Sequence, residues 1–363
     1  MREPANARPE DIDQIPDRPA VFLLWASAGK PYLAKTALLR RRLKRLISDR
    51  DRISRVLNLR GVADRIEYWP TGSQLESALI HLELAKQYFP EDWQRITRLR
   101  SPTFLRLTLD NPFPRTMITT RLGSGLSYGP FPSRAAAERF QGELLDLFQL
   151  RRCEDNLSPS LHHTGCIYGE MNRCLRPCQQ AVSTEEYRAE TTRVEQFLRT
   201  AGSSLKESTE AARDRMSGDM QFEEAARLHQ RLTRISEVQT LSGELARSLD
   251  RLNGIAITPS AEPETVELWF MTSGEWRQPV CMNLSESAGA GMSLDRRVRE
   301  LAAGMPQSGK PNPDHISILA RWHGSSWRDG EWLGFDEFAK LPYRRLVNAI
   351  GRVAKLAHSG APS

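Results

Sequence analysis

Four of the five cysteines in this 363-residue chain lie close together, between residues 153 and 178. They are Cys153, Cys166, Cys174 and Cys178. Thiolates are strong, soft metal ligands, and four of them from one segment make the closed donor set of zinc or an iron–sulfur cluster. We therefore predict that this segment folds around a metal centre. Cys281 stands apart in the sequence, and we expect it to be a small buried apolar residue.

Two disulfides, or unrelated buried thiols, are the alternatives to a metal centre. The polar, proline-rich N-terminus has no secretory signal, so we expect a cytoplasmic protein, where structural disulfides are rare. No apolar run approaches the roughly 18 residues that span a bilayer, and we expect no membrane association. The cysteine pattern alone leaves zinc and iron–sulfur open.

Basic residues are concentrated in one predicted helix. The chain carries a net charge of +6, and TALLRRRLKRLISDRDRISR, starting at Thr36, holds a dense group of cations. A concentrated basic patch meets phosphates better than a scattered excess does, which favours binding to duplex DNA. A solvated helix face is the alternative interpretation. The candidate DNA-binding residues are Arg40, Arg41, Lys44 and Arg45.

Local patterns predict a mixture of helices and strands. After a flexible start, Val21 to Trp25 and Pro31 to Lys35 are predicted strands, followed by a basic helix from Thr36 to Ile53 and a helix from Ser73 to Phe89. Strands broken by proline and glycine fill residues 102–133. A helix from Ser133 to Leu150, with Ser133 as N-cap, leads to the cysteines.

The next part of the chain is strongly helical. Ser183 and Glu186 form a capping box that opens a helix to Thr200. Two further helices, Ser204 to Met216 and Gln221 to Leu241, are predicted to pair along an apolar seam. The seam residues are Ala225, Leu228, Leu232, Ile235 and Val238.

Beyond residue 248 the composition favours strands. GIAITPS, TVELWFMTSGEWRQPVCMN and HISILARWHGSSWRDGEWLGF indicate strands, closed by a helix from Asp336 to Leu356. Trp322, Trp327 and Trp332 could stack on nucleic-acid bases, and packing in the core of a small domain is the alternative.

The cysteine segment contains RRCEDN and CIYGEMNRCLRPC, and MQFEEAARLHQRL follows further along the chain. These residues resemble the UvrC family, a subunit of the bacterial excision nuclease that cuts damaged DNA. The resemblance implies a 4Fe-4S cluster on the four cysteines, with zinc as the alternative. It also implies a UVR motif that docks on a UvrB-like protein, although a plain structural hairpin would share its pattern. The partner-binding residues would be Phe222, Glu223, Ala225, Ala226 and Leu228.

The N-terminal region resembles the GIY-YIG nuclease domain of that family, with PAVF and YLAK standing at its two motifs. The resemblance places Tyr32, Lys35 and Arg42 at catalytic positions. Three other family positions are substituted: Phe22 replaces a tyrosine, His81 the metal-binding glutamate and Trp93 an asparagine.

Loss of a hydroxyl, a carboxylate and an amide predicts impaired incision, because removing one such group commonly costs about 3 kcal/mol of transition-state stabilisation. Glu76 or Glu83, from neighbouring turns of the same helix, is an alternative source of the carboxylate. Mg or Mn is expected only if the nuclease is active.

Together these observations predict an α+β multidomain protein with four parts. They are a degenerate GIY-YIG-like α/β domain (16–100), a linker with the four-cysteine cluster region (101–182), a helical UVR hairpin (183–245) and a small C-terminal α+β domain (248–358). The predicted function is that of a UvrC-like or Cho-like protein of nucleotide excision repair that binds DNA and a UvrB-like partner. A fully noncatalytic adaptor of the excision complex and a working metal-dependent endonuclease are the alternatives.

Overall fold

A computed structural model describes residues 3–47, 59, 61–110, 112–154, 157–284, 294–304 and 309–359. It is a mixed α+β structure, as the sequence predicts, and its residues fall into two compact units. The first draws on Met1–Arg100, Asn253–Gln307 and Ser317–Ser363, and the second on Ser101–Leu252 and Ser308–Ile316. Within the described part of the chain, none of the helices has the length and apolarity that a membrane crossing requires.

The N-terminal part of the first unit is an antiparallel sheet in the order β1-β4-β2-β3. Its strands are β1 (Ala5–Ala7), β2 (Ala20–Ala26), β3 (Tyr32–Thr36) and β4 (Ala63–Pro70). Side chains alternate between the faces of a strand. Phe22 and Leu24 therefore pack toward α1 (Leu39–Ile47), whereas Val21 and Leu23 pack toward α2 (Gln74–Tyr88).

The predicted hairpin and both of its helices are present, with two corrections. The predicted flexible start contains regular structure, because Ala5–Ala7 form β1, which pairs with β4, and a 3₁₀ turn, Pro9–Gln14, buries Ile12. The basic helix begins at Leu39 rather than Thr36, since Thr36 ends β3 and its hydroxyl accepts the Leu38 amide at 3.2 Å. The predicted end of that helix, Ile53, lies outside the described residues.

The second unit contains an antiparallel sheet in the order β6-β5-β7-β8. Its strands are β5 (Thr103–Leu107), β6 (Thr116–Thr119), β7 (Leu126–Phe131) and β8 (Arg247–Ser248), and a short α3 (Trp93–Thr97) precedes them in the first unit. The predicted strands of residues 102–133 are thus confirmed. Helix α4 (Arg134–Leu147) covers the sheet, and its predicted N-cap Ser133 accepts the Ala136 amide.

Helices make up the rest of the second unit: α5 (Ile167–Glu170), α6 (Thr184–Arg199), α7 (Ser203–Gly218) and α8 (Phe222–Leu241). The predicted capping box of Ser183 and Glu186 opens α6. The predicted seam on α8 is confirmed, because Leu232, Ile235 and Val238 are buried while Ala225 and Leu228 are half-buried. The seam therefore becomes less buried toward the start of α8.

The C-terminal part of the first unit is an antiparallel sheet in the order β11-β10-β9-β13, with β12 also paired to β10. Its elements are β9 (Asn253–Pro259), β10 (Thr265–Thr272), β11 (Glu275–Trp276), β12 (Val280–Asn283), α9 (Leu294–Ala303), α10 (Pro313–His323), β13 (Glu331–Phe335) and α11 (Tyr343–Ser359). Cys281 is exposed rather than buried, because Met282, its neighbour on β12, occupies the inward face.

Two C-terminal predictions are corrected by the structure. HISILARWH is a helix, α10, rather than a strand, because the Asn312 side chain accepts the amides of Asp314 and His315 and so caps a helix start. Further along the same run, EWLGF forms the strand β13. The closing helix begins at Tyr343, after a separate 3₁₀ turn at Phe338–Lys340, rather than at Asp336.

Candidate functional site

The N-terminal sheet divides the predicted catalytic residues between its two faces. Tyr32 lies on the face that packs against α1, with Phe22. Lys35 is three residues further along β3, so it lies on the opposite face, where it pairs in register with Val21. His81 projects from α2 on that same face and lines one cleft with Lys35. The structure thus brings Tyr32 together with Arg42, and Lys35 together with His81.

On the α1 face, a guanidinium nitrogen of Arg42 donates to the Tyr32 hydroxyl at 3.3 Å. Phe22, which the sequence predicts in place of the other motif tyrosine, is buried with its ring centroid 6.2 Å from that of Tyr32. This face therefore brings together one phenol and one cation of the predicted nuclease pattern.

The basic residues of α1 are partly paired with acids from the start of the chain. Arg41 forms an ion pair with Asp17 at 3.1 Å, and Lys44 pairs with Asp13. Arg40 donates to the Asp13 carbonyl oxygen at 3.4 Å, and Arg45 is exposed. Surface ion pairs of this kind are worth about 1 kcal/mol or less, so the cations can exchange these acids for phosphates.

On the opposite face, a cleft opens between β3, α2 and the part of α10 from Ser317 onward, and all of its lining residues belong to the first unit. Its polar and aromatic lining consists of Lys35, Gln74, His81, Thr97, Arg321, Trp322 and Trp327. No carboxylate is among the described residues that line it. Arg321 was not among the residues predicted for a site, and the only local signal for it was the clustering of tryptophan and arginine in RWHGSSWRDG.

The three tryptophans considered for base stacking differ in exposure. Trp322 is 2% exposed and Trp332 is 4% exposed, so both belong to the core of the first unit. Trp327 is 48% exposed at the edge of the cleft. Trp327 alone of these three can therefore present a ring face to a ligand.

Burial and neighbouring positive charges lower the pKa values of two basic groups in the cleft. Burial, and then the charge of Lys35, lowers the pKa of His81 to about 4, so its imidazole is neutral at pH 7. Burial of the ammonium group lowers the pKa of Lys35, and Arg321 lowers it further, although Lys35 as a whole residue is exposed. Each of these changes favours the uncharged form, as expected where cations are desolvated beside one another.

Neither alternative glutamate supplies a carboxylate to the cleft. Glu76 is buried, and one of its carboxylate oxygens accepts the Gly72 amide at 2.8 Å, which places it in the cap of α2. Glu83 is exposed and lies two residues beyond His81, which turns it well away from His81 around the helix. Trp93 is half-buried outside the cleft lining, and the Lys86 ammonium lies 4.8 Å from its ring centroid.

Residues from the C-terminal part of the first unit fix the start of α2. The two carboxylate oxygens of Asp329 accept the Gln74 amide at 2.6 Å and the Trp322 indole N–H at 3.0 Å. Gly72 lies so close to the end of β9 that a Cβ there would approach the Ser260 carbonyl carbon to 2.1 Å. The N-terminal and C-terminal parts of the first unit therefore form the cleft together.

The four clustered cysteines lie in the second unit. Cys174 and Cys178 are buried, Cys153 is half-buried and Cys166 is exposed. Burial raises the pKa of Cys174 to about 11, and the charges of the other three cysteines add to this effect. In the part of the chain that the structure describes, no three Cys, His, Asp or Glu side chains are close enough together to hold a metal ion.

The chemistry of the donor set nevertheless suits a metal centre. A guanidinium nitrogen of Arg151 lies 3.6 Å from the Cys153 sulfur, and the Arg176 amide donates to the Cys174 sulfur at 3.4 Å. Arg151 is buried and also donates to the Phe113 carbonyl oxygen at 2.8 Å, which fixes its position. A fixed cation and an amide donor beside these sulfurs stabilise the thiolate forms that metals bind.

The tip of the α7–α8 hairpin exposes apolar side chains. Met220 is 77% exposed and Phe222 is 67% exposed. Glu223 and Ala226 are also exposed, and the half-buried Ala225 and Leu228 lie on the same helix. Large apolar side chains that are exposed together at the end of a hairpin are typical of an interaction site.

Comparison with known proteins identifies the second unit. Residues 103–197, which include all four clustered cysteines, match the family model of the UvrC/Cho excinuclease middle domain. The UvrABC system protein C of Rickettsia africae (strain ESF-5) is 31% identical over 266 residues, which cover 72% of this chain and 41% of that protein. The corresponding protein of Lachnospira eligens is 24% identical over 273 residues, covering 73% of this chain and 44% of that protein. No solved structure matches the chain.

The match over residues 103–197 identifies a middle domain of the UvrC/Cho type in this chain. The chain belongs to the UvrC family. It spans less than half the length of the curated relatives that it matches.

Proposed function

We propose that this protein acts in nucleotide excision repair, where it binds DNA and a UvrB-like partner through a UvrC-like scaffold whose GIY-YIG-type incision domain is impaired. The observation that carries the proposal is the match of residues 103–197 to an excinuclease middle domain, which lies between a degenerate nuclease region and an exposed UVR-like hairpin.

The cleft chemistry supports impaired incision. Phosphodiester hydrolysis in such a site needs a carboxylate to hold a divalent metal, which stabilises the charge of the transition state. The resemblance assigns that carboxylate position to His81, whose imidazole is neutral at pH 7 because burial and the charge of Lys35 lower its pKa to about 4. A neutral imidazole is a poor ligand for Mg²⁺ compared with a carboxylate. On the other face of the sheet, Phe22 lacks the hydroxyl that a tyrosine would place there.

DNA binding does not depend on the missing groups. Arg41, Lys44 and Arg45 on α1 are exposed and Arg40 is half-buried, and the partners of the paired ones are the exposed Asp13, its carbonyl oxygen and the half-buried Asp17. Each phosphate neutralised on duplex DNA adds about 0.9 to the slope of log affinity against log salt concentration. Binding is therefore expected to be salt-sensitive and independent of divalent metal.

The exposed hairpin tip supports a protein partner. Phe222 and Met220 would contact a matching helical hairpin of a UvrB-like protein, with Leu228 extending the contact along α8. The buried lower seam, Ile235 and Val238, belongs to the core of the second unit and holds the hairpin in place.

Cys153, Cys166, Cys174 and Cys178 would hold a 4Fe-4S cluster or, alternatively, zinc. When bound, such a group would supply a strong cross-link between segments of the middle domain. Arg151 would stabilise the thiolate of Cys153, and the Arg176 amide that of Cys174. Binding would release protons, because burial raises the pKa of Cys174 to about 11.

An incision assay on nicked and damaged duplex DNA with Mg or Mn tests the proposal. The purified protein should bind duplex DNA but incise it poorly or not at all. The double variant Phe22→Tyr with His81→Glu restores the family pattern and should raise cleavage. The matched control, Phe22→Tyr with His81→Gln, restores the phenol without a carboxylate and should stay inactive.

Robust metal-dependent incision by the unmodified protein, abolished by Tyr32→Phe or Arg42→Ala, would identify a working endonuclease instead. Absence of any DNA binding would contradict the repair function itself.

A further inference from the structure

The cleft on the α2 face brings two cations together. Lys35 and Arg321 both line it, and among the described residues neither forms an ion pair with an acid. They come from distant regions of the chain, β3 and α10, so only the folded first unit places them side by side. Like charges near each other repel, and a bound anion would offset that repulsion.

The same cleft presents a flat aromatic surface. Trp327 is 48% exposed although it lies at the edge of a well-packed region. Its neighbour Trp322 is buried and is fixed by its indole hydrogen bond to Asp329. Because Asp329 also binds the α2 amide of Gln74, α10 and α2 are held in fixed register around the cleft.

We propose that this cleft binds single-stranded DNA, with Lys35 and Arg321 holding one phosphate and Trp327 stacking on the adjacent base. The inference rests on the proposed function, since it assigns a second DNA contact to the same repair protein. It gives the C-terminal region a role, because Arg321 and Trp327 come from that region and line the cleft with Lys35.

An unpaired strand fits this arrangement better than a duplex does. Stacking on an exposed indole requires a base with a free face, and the bases of a duplex interior are already stacked on each other. An unstacked base next to a backbone phosphate presents a flat ring and a negative charge side by side. A repair intermediate with an opened or displaced strand provides that combination.

The test is fluorescence anisotropy of the full-length protein with a labelled oligothymidylate and with a labelled duplex, over a range of salt concentrations. In Arg321→Gln, the slope of log affinity against log salt for the single strand should fall by up to about 0.7, which is the full contribution of the one phosphate that Arg321 shares with Lys35. In Trp327→Ala, affinity for the single strand should fall about tenfold with an unchanged salt slope, because stacking carries no counter-ions.

Matched variants separate these roles from general effects. Arg321→Lys should restore the salt slope, and Trp327→Phe should restore most of the affinity. Arg345→Gln removes an exposed arginine from α11 and should leave binding to the single strand unchanged. Duplex affinity, which depends on α1, should be the same in all of these variants.

Three outcomes would overturn the inference. Equal weakening in Arg321→Gln and Arg345→Gln would indicate nonspecific charge. Unchanged affinity in both Trp327→Ala and Arg321→Gln would place the single strand elsewhere and leave the proposed repair function standing. A wild-type protein that binds neither single-stranded nor duplex DNA would refute the inference together with the proposed function.

Discussion

The pKa of His81 gives a direct test of the cleft. This imidazole is 9% exposed, and burial followed by the nearby charge of Lys35 lowers its pKa to about 4. In the unfolded chain a histidine has a pKa of about 6.5. As pH falls below about 6.5, the unfolded state therefore takes up a proton first, and the free energy of unfolding decreases until the pH reaches about 4.

The expected loss follows from the two pKa values. A difference between about 6.5 and about 4 corresponds to about 3 kcal/mol, of which about 2 kcal/mol is lost by pH 5. His81→Gln removes this titration. Urea unfolding of the wild type and of His81→Gln at pH 7 and pH 5 should therefore show a wild-type protein that loses about 2 kcal/mol more than the variant does.

A further measurement makes the test specific. The imidazole C–H resonance of His81 should not titrate above about pH 5, because its pKa is lowered to about 4. If wild type and His81→Gln lost equal stability between pH 7 and pH 5, or if His81 titrated near 6.5, the description of a desolvated cationic cleft would be refuted.

Other changes probe the rest of the molecule. Asp329→Ala should lower the free energy of unfolding by about 3 kcal/mol, because a helix amide and the buried indole of Trp322 lose their acceptor; urea unfolding measures this, and an effect below about 0.5 kcal/mol would contradict it. Phe222→Ala should weaken binding to a UvrB-like hairpin by about 2 kcal/mol at unchanged stability, since Phe222 is exposed, as calorimetry would show. Leu232→Ala, at the buried seam, should instead lower stability by about 2 kcal/mol. Anaerobically purified protein should contain iron and absorb visible light, and Cys174→Ser should lose both; one equivalent of zinc without iron would contradict the cluster.

Local sequence signals determined most of the elements of the fold. A short apolar run predicted β2, turn-bounded runs predicted the strands of residues 102–133, and serine N-caps predicted the starts of α4 and α6. Apolar spacing of three and four residues predicted the seam of α8. Each of these signals acts between residues that are near neighbours along the chain, so the sequence contains the whole of the interaction.

The errors arose where a long-range contact or a single competing cap decided the outcome. HISILARWH has the apolar content of a strand, but capping by Asn312 and packing of Ile318 and Trp322 make it a helix. In the polar N-terminal segment, Ala5–Ala7 form β1 because they pair with β4. A pairing partner about sixty residues away along the chain cannot be inferred from local composition.

The candidate site shows the same division between what the sequence predicts and what the tertiary structure decides. The sequence by itself predicted Tyr32, Lys35 and Arg42 at positions of a nuclease motif, with other positions of that motif replaced. Only the tertiary structure decided that Tyr32 and Lys35 lie on opposite faces of β3, and that Arg321 and Trp327 join Lys35 in one cleft. The physical reason is that strand alternation and the packing of α10 against α2 set side-chain direction in space, whereas a motif records only spacing along the chain.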